Sequence, residues 1–220
     1  MTVRDRLPWS PDQCYTAYLP DAGYEGRMRR LIVQQWATVD NVVAEEDGGL
    51  SFVSVQPFAV SSDEDFKASA MEFIDSVDTM IIGANTYAMA RDYWPTASDQ
   101  GAYGEKLNRL TKVVASTTLP DAPWGTFPAA TITQDAVSTV QELKRRSGKD
   151  IWLWGSLMVM RSMFAADLVD EVQLRVCPTS RGKGSTVFDD RRDMRLVEAT
   201  PFANGIVLLR YAVSPGPSTS

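Results

Sequence analysis

The chain has 220 residues, 44% of them hydrophobic and 23% charged, with a net charge of −6. That length buries a core without disulfides or metals. The acidic balance, with Lys and Arg scattered, excludes broad binding to a phosphate backbone. The chain has no histidine, which removes Ser-His-Asp and Cys-His catalysis and most zinc sites. Cys14 and Cys177 are far apart and have no metal-ligand spacing, so a reduced, cytoplasmic setting and no metal are expected. No apolar run resembles a signal peptide or reaches membrane-spanning length. A small-molecule substrate is the partner this leaves, with no nucleic acid and no membrane.

Residues 1–27 carry Pro8, Pro11, Pro20 and several aromatics and read as an irregular arm. Leu31 to Trp36 reads as a first strand. Val39 to Gly49 reads as an acidic loop ending in Gly48-Gly49. Ser62 with Asp65 forms a capping-box-like start. The following helix places Phe66, Ala70, Phe73, Ile74 and Val77 on one face. Thr79 to Gly83 is a short strand and Thr86 to Tyr93 a helix. Lys112 to Ser116 is the next strand and Thr131-Ile132 a weak one. Asp135 caps a helix that runs to Arg146 and stops at Gly148.

Asp150 to Trp154 is an apolar strand that empties over Gly155 and Ser156 into a helix from Leu157 to Ala166. Such a turn lets a ligand approach the backbone, and the unpaired amides of a helix N-terminus attract anions. An ordinary strand-to-helix junction is the alternative. Glu171 to Cys177 then alternates as Val172, Leu174 and Val176. Met194 to Ala199 and Gly205 to Val213 are further strands, and residues 214–220 read as a disordered tail. Repeated β/α units followed by a β-rich end predict an α/β fold of three layers. Its central sheet is mostly parallel with an antiparallel C-terminal edge, in one domain over residues 28–213.

The motif order resembles the dihydrofolate-reductase-like superfamily. Val39 to Ala44 resembles its S-x-D-G-x-I-A loop, and Ile81 to Tyr87 its h-G-R-x-T-Y turn. Lys112 to Leu119 resembles K-h-V-h-S-R-T-L. Asp150 to Leu157 is similar to D-I-h-h-x-G-G-x, and Leu168 to Val172 to L-h-D-E-h. Pro178, Gly182, Gly184 and Phe188 complete the set. The resemblance is nearest to the reductase domain of the bifunctional riboflavin-pathway deaminase/reductase, as a stand-alone relative. It implies NADPH bound along the C-terminal edge of the sheet, and a homodimer. The chain departs from the pattern at four turns, and Asn41 replaces the glycine after Asp40 in the first. Ala84 or Asn85 and Thr117 replace arginines that tend to face the cofactor's 2′-phosphate, which leaves NADH as the alternative. Ser156 replaces the second glycine of the G-G pair.

On this basis Gly83, Ala84, Asn85 and Thr86, Ser116 and Thr117, and Gly155, Ser156, Leu157 and Met158 are the candidate cofactor-binding residues. Trp36, Asp40 and Phe52 are the candidate substrate contacts. Asp40 is the candidate catalytic carboxylate, placed to position a polar substrate or relay a proton; an Asx turn is its structural alternative. Trp152 and Trp154 share a sheet face, so at least one belongs to the core. Met158, Met160 and Met163 read as adaptable packing. The expected activity is hydride transfer from NAD(P)H to a small polar heterocycle or an imine or carbonyl, in a setting such as secondary metabolism. A non-catalytic ligand-binding relative and a non-redox cyclase or isomerase remain as alternatives.

Overall fold

The computed structural model describes residues 28–53 and 61–214. The expected arm over residues 1–27 and the tail beyond residue 214 lie outside the described residues. In chain order the elements are β1 (Leu31–Thr38), β2 (Val42–Ala44), α1 (Glu64–Ser76), β3 (Val77–Gly83), α2 (Ala84–Tyr93), α3 (Gly101–Arg109), β4 (Thr111–Ala115) and β5 (Thr131–Thr133). There follow α4 (Ala136–Arg145), β6 (Asp150–Trp154), α5 (Leu157–Ala165), β7 (Glu171–Cys177), β8 (Ser185–Thr186), β9 (Met194–Pro201) and β10 (Val207–Val213).

Eight strands form one sheet in the order β5-β4-β3-β6-β1-β7-β10-β9. The first six run parallel, and β10 and β9 add antiparallel at the β7 edge. β2 and β8 pair apart from it. The central strands are buried on both faces, as parallel strands covered by helices must be. Leu31, Val33, Ile151, Leu153 and Val172 pack under α4 and α5 with Val140, Met160, Met163 and Phe164. Ile32, Met80, Ile82, Val114 and Trp152 pack on the other face with Phe73, Ile74, Tyr87, Tyr103 and Leu107 from α1, α2 and α3. This is the expected three-layer α/β architecture with a parallel sheet and an antiparallel edge.

Local departures have physical causes. The cap of α1 is Asp63, whose carboxylate accepts from the Phe66 amide, rather than Ser62. Val77, expected on the helix face, ends α1 and starts β3. Asp135 caps α4 as expected, accepting from the Ser138 amide. Three elements were not foreseen: β2, β8 and α3. β2 sits inside the expected loop and is held by β8, some 140 residues further on. α3 contains Gly101 and Gly104, which lower helix propensity.

Strand β7 departs most. Its residues are buried on both faces, not alternately. Glu171, on the face opposite Val172, Leu174 and Val176, is 3% exposed. It accepts from Arg30, Arg210 and Gln173, and Gln173 in turn accepts from Gln34. Asp170 has a structural role, accepting from the Leu31 amide and the Lys144 ammonium.

Candidate active site

Neighbouring strands β3 and β6 send their helices to opposite faces: α2 packs with the Trp152 side and α5 with the Leu153 side. Where that happens a crevice opens beyond the carboxyl ends of the strands, the usual ligand site of an open α/β sheet. A cavity of about 550 Å3 occupies this position. Its floor is Gln34, Gln35 and Trp36 from β1, Gly83 from β3, Ala115 from β4 and Trp154 from β6. Its rim includes Leu50, Met89, Trp94 and Met158, and both methionines are exposed.

Two turns meet at the centre. Gly83 begins α2 and Ser156 begins α5, and neither helix has its own side-chain cap. The amides of both first turns therefore face the crevice, with positive dipole ends towards it. Gly155 and Ser156 are both left-handed, at φ 62° and 58°. That conformation suits Gly155, and a Cβ there would also lie 3.1 Å from Thr86 Oγ1. Ser156 adopts it at a cost of about 1 kcal/mol for an L-residue. Its hydroxyl accepts from the Gly83 amide and bonds Thr86 Oγ1 at 2.9 Å. The serine in place of a second glycine thus fills one anion-facing donor position with its own oxygen.

The floor is polar at one point. Gln35 donates to the Gly155 carbonyl at 2.9 Å and Gln34 to Gln173 at 3.0 Å. The aromatic wall is continuous: Trp154 stacks on buried Trp152 at 5.1 Å and meets Trp94 edge-on at 5.6 Å. Among the described residues no Asp, Glu, Lys or Arg lines the cavity.

Nine of the residues singled out from sequence therefore share one cavity: Trp36, Gly83, Ala84, Asn85, Thr86, Gly155, Ser156, Leu157 and Met158. Four do not line it. Asp40 lies at the exposed tip of the loop after β1. Its carboxylate accepts from Thr38 Oγ1 and from the amides of Arg181 and Gly182. The Thr38 hydroxyl first, and the Gly182 amide next, hold its pKa down at about 2. A carboxylate so engaged ties two loops together and is not placed to relay a proton in the cavity. Phe52 is 2% exposed and packs with Phe66, Cys177 and Phe202 behind Trp36. Ser116 turns its hydroxyl to the amides of Thr118 and Leu119, forming a local turn, and Thr117 is exposed.

Gln34, Gln35, Trp94 and Met89 were missed. The glutamines carried a readable signal, since two adjacent amides inside an otherwise apolar buried strand need a polar partner or a ligand. Trp94 follows α2 in a 3-10 turn, and only tertiary packing brings it to Trp154.

Residues 29–208 match the RibD C-terminal domain family. The chain belongs to that family. An uncharacterized Bacillus subtilis protein, YyaP, is 26% identical over 191 residues, covering 84% of this chain and 95% of that one. A crystal structure from Shewanella sp. PV-4, named for riboflavin biosynthesis, superposes with a TM-score of 0.64 at 18% identity, covering 84% of this chain and 99% of that one. The diaminohydroxyphosphoribosylaminopyrimidine deaminase/5-amino-6-(5-phosphoribosylamino)uracil reductase of Thermotoga maritima superposes at 0.59 with 12% identity, over 85% of this chain and 57% of that one. The structural likeness supports the reductase-like fold that the motif order suggested. Among the described residues no helix is long and apolar enough to cross a membrane.

Proposed function

We propose that the protein is a reductase that uses a nicotinamide dinucleotide to reduce a small polar heterocycle, imine or carbonyl. The observation that carries the reading is the convergence of two helix N-termini that lack side-chain caps of their own, at Gly83 and Ser156, on an apolar cavity at the switch point of the sheet. The residues fit such a cofactor in two respects. The first-turn amides of α2 and α5 match a pyrophosphate, and the aromatic cavity matches a flat ring. The described lining residues supply no cation for a 2′-phosphate, so they accommodate NADH as well as NADPH.

When bound, the cofactor supplies the hydride. The chain's part is orientation and exclusion of water. Gln35, fixed on the Gly155 carbonyl, and Trp36 border the substrate, and the tryptophans keep that region dry. Among the described residues no titratable side chain lines the cavity, and water can supply the proton that completes the reduction.

Titration with NADPH and with NADH, followed by tryptophan fluorescence, tests the reading directly because Trp36, Trp94 and Trp154 line the cavity. Saturable quenching by either supports it; no response to either overturns it. The Ser156 hydroxyl on the Gly83 amide favours one rival, a relative that has kept the fold and lost the cofactor. The same titration separates the two.

A further inference from the structure

Strand β1 reads Leu-Ile-Val-Gln-Gln-Trp-Ala-Thr, and its glutamines, Gln34 and Gln35, are 4% and 5% exposed. A parallel strand covered on both faces is ordinarily apolar. A buried side-chain amide is costly unless its N–H donors and its carbonyl find partners. The nitrogen ends are accounted for. Gln35 Nε2 donates to the Gly155 carbonyl at 2.9 Å and to Met160 Sδ at 3.7 Å. Gln34 Nε2 donates to Gln173 Oε1 at 3.0 Å, and Gln173 uses its own Nε2 on Glu171. Both orientations are therefore fixed, because turning either amide over would set oxygen against oxygen.

The oxygen ends are not. Neither Gln34 Oε1 nor Gln35 Oε1 accepts a hydrogen bond from any of the described residues. Neither is sealed in: the fully enclosed, unpartnered side-chain atoms among the described residues are Trp152 Nε1 and Arg161 Nε. Both glutamines line the cavity of about 550 Å3, so the space open to their oxygens is that cavity. The hydroxyls at its central turns close on the protein instead, Ser156 on the Gly83 amide and Thr86 on Ser156. The glutamine oxygens are thus two fixed acceptors on buried side chains, and the protein supplies no donor to either.

The surroundings decide what such acceptors take. An anion would meet oxygens that carry partial charge of its own sign. An ammonium would lose its hydration with no carboxylate among the described lining residues to offset the loss. An uncharged N–H donor meets neither objection. We propose that Gln34 and Gln35 are specificity-determining residues of the cavity, and that their Oε1 atoms select an uncharged N–H donor, a primary amide or an amino group. A group of the same shape without the donor leaves a buried oxygen with no partner, which is a strong basis for rejection. The donor has two possible sources, the carboxamide of a nicotinamide cofactor and the substrate. The assignment rests on the reductase reading only for the first.

Benzamide, acetophenone and sodium benzoate share one shape and differ in one group: a neutral donor, a neutral acceptor and an anion. Each is titrated into the full-length wild type, Gln34→Met and Gln35→Met, with affinity read by ligand-observed NMR and folding by melting temperature. In the wild type benzamide should bind roughly tenfold or more tighter than either analogue. Each methionine variant should lower the benzamide-to-acetophenone ratio several-fold, because methionine fills similar space and removes the acceptor. A merely structural role would weaken both probes together and leave the ratio unmoved. Gln34→Asn and Gln35→Asn retract the same oxygens and serve where a methionine variant does not fold. A wild-type ratio near one overturns the proposal, as does a ratio unmoved by substitution at both positions. NADH and the reduced 3-acetylpyridine dinucleotide, in which an acetyl group replaces the carboxamide, separate the sources. A preference for NADH that the variants lose assigns the donor to the cofactor. Equal binding of the two, with the benzamide preference intact in their presence, assigns it to the substrate. A benzamide preference that the variants lose, while neither dinucleotide binds, removes the reductase reading and leaves the acceptor pair standing.

Discussion

Ser156 takes a left-handed backbone immediately after a glycine that does the same, and it turns its hydroxyl onto the one amide that opens α2. Two effects oppose each other there. The conformation costs about 1 kcal/mol, and the two hydrogen bonds return a similar amount. Ser156→Gly should therefore change stability by less than about 1 kcal/mol. It also frees the Gly83 amide for a ligand oxygen, so NADPH affinity should rise by roughly fivefold, the worth of one net hydrogen bond. Weaker nucleotide binding in that variant would show that the serine helps to hold the ligand. Asp40 gives a contrasting prediction. Its folded pKa, about 2, lies below the ordinary 3.8. The ionised form is thus favoured by folding, and its contribution is complete above about pH 4 and lost as the pH falls through 2. Asp40→Asn should lower the melting temperature at neutral pH, abolish that acid-side component and leave the pH profile of turnover unchanged. A lost limb in that profile would restore Asp40 to the chemistry.

At the scale of elements, Lys112 on β4 closes the C-terminal end of α3 through the carbonyls of Asn108 and Leu110, with its ammonium 5.0 Å from the Trp124 centroid. Burial pushes its pKa down to about 8 from 10.5. Between those values the unfolded chain binds more protons than the folded one, so this lysine makes stability rise with pH from about 8 to about 10.5. Denaturant unfolding of the wild type and Lys112→Met at pH 7.5, 9 and 10 should show the wild type's advantage growing with pH; a constant or shrinking difference contradicts it. This helix also marks what the sequence left hidden. β6 and β7 were legible to the residue because their apolar runs are compact and end in turn signals. α3 was not, since its glycines mask the helical period and its partners, Trp94 and Trp124, are set by tertiary contact. Alternation in β7 marked Val172, Leu174 and Val176 as the buried face. It could not show that the other face is covered too, which hid the burial of Glu171 and Gln173. Of the site, the glycine turns and Trp36 were legible because their local chemistry is special. Asp40, Phe52, Ser116 and Thr117 are polar or aromatic residues beside such turns, and only the fold decides which way they point.

Across the whole molecule, one polar chain joins the parallel half of the sheet to its antiparallel edge. It runs from Gln34 in the cavity floor through Gln173 to Glu171, and from there to Arg30 on one side and to Arg210 and Glu198 on the other. Its members differ in exposure: the Glu171 side chain is 4% exposed and that of Glu198 42%. Removing one partner from a buried ion pair typically costs about 3–5 kcal/mol, whereas an exposed pair is worth about 1 kcal/mol or less. Glu171→Gln should thus cost about 3 kcal/mol, which for a chain of this size is a fall of roughly 6–12 °C in melting temperature. Glu198→Gln should move it by no more than a few degrees. Arg30 and Arg210 each keep one other carboxylate in Glu171→Gln, Asp150 and Glu198 respectively, which places the expected loss at the lower end. Equal effects from the two substitutions would mean that the chain is a surface feature. A large loss at Glu171 alone would show that the edge strands are fastened to the parallel sheet by a buried charge, one that also fixes the Gln34 amide in the cavity floor.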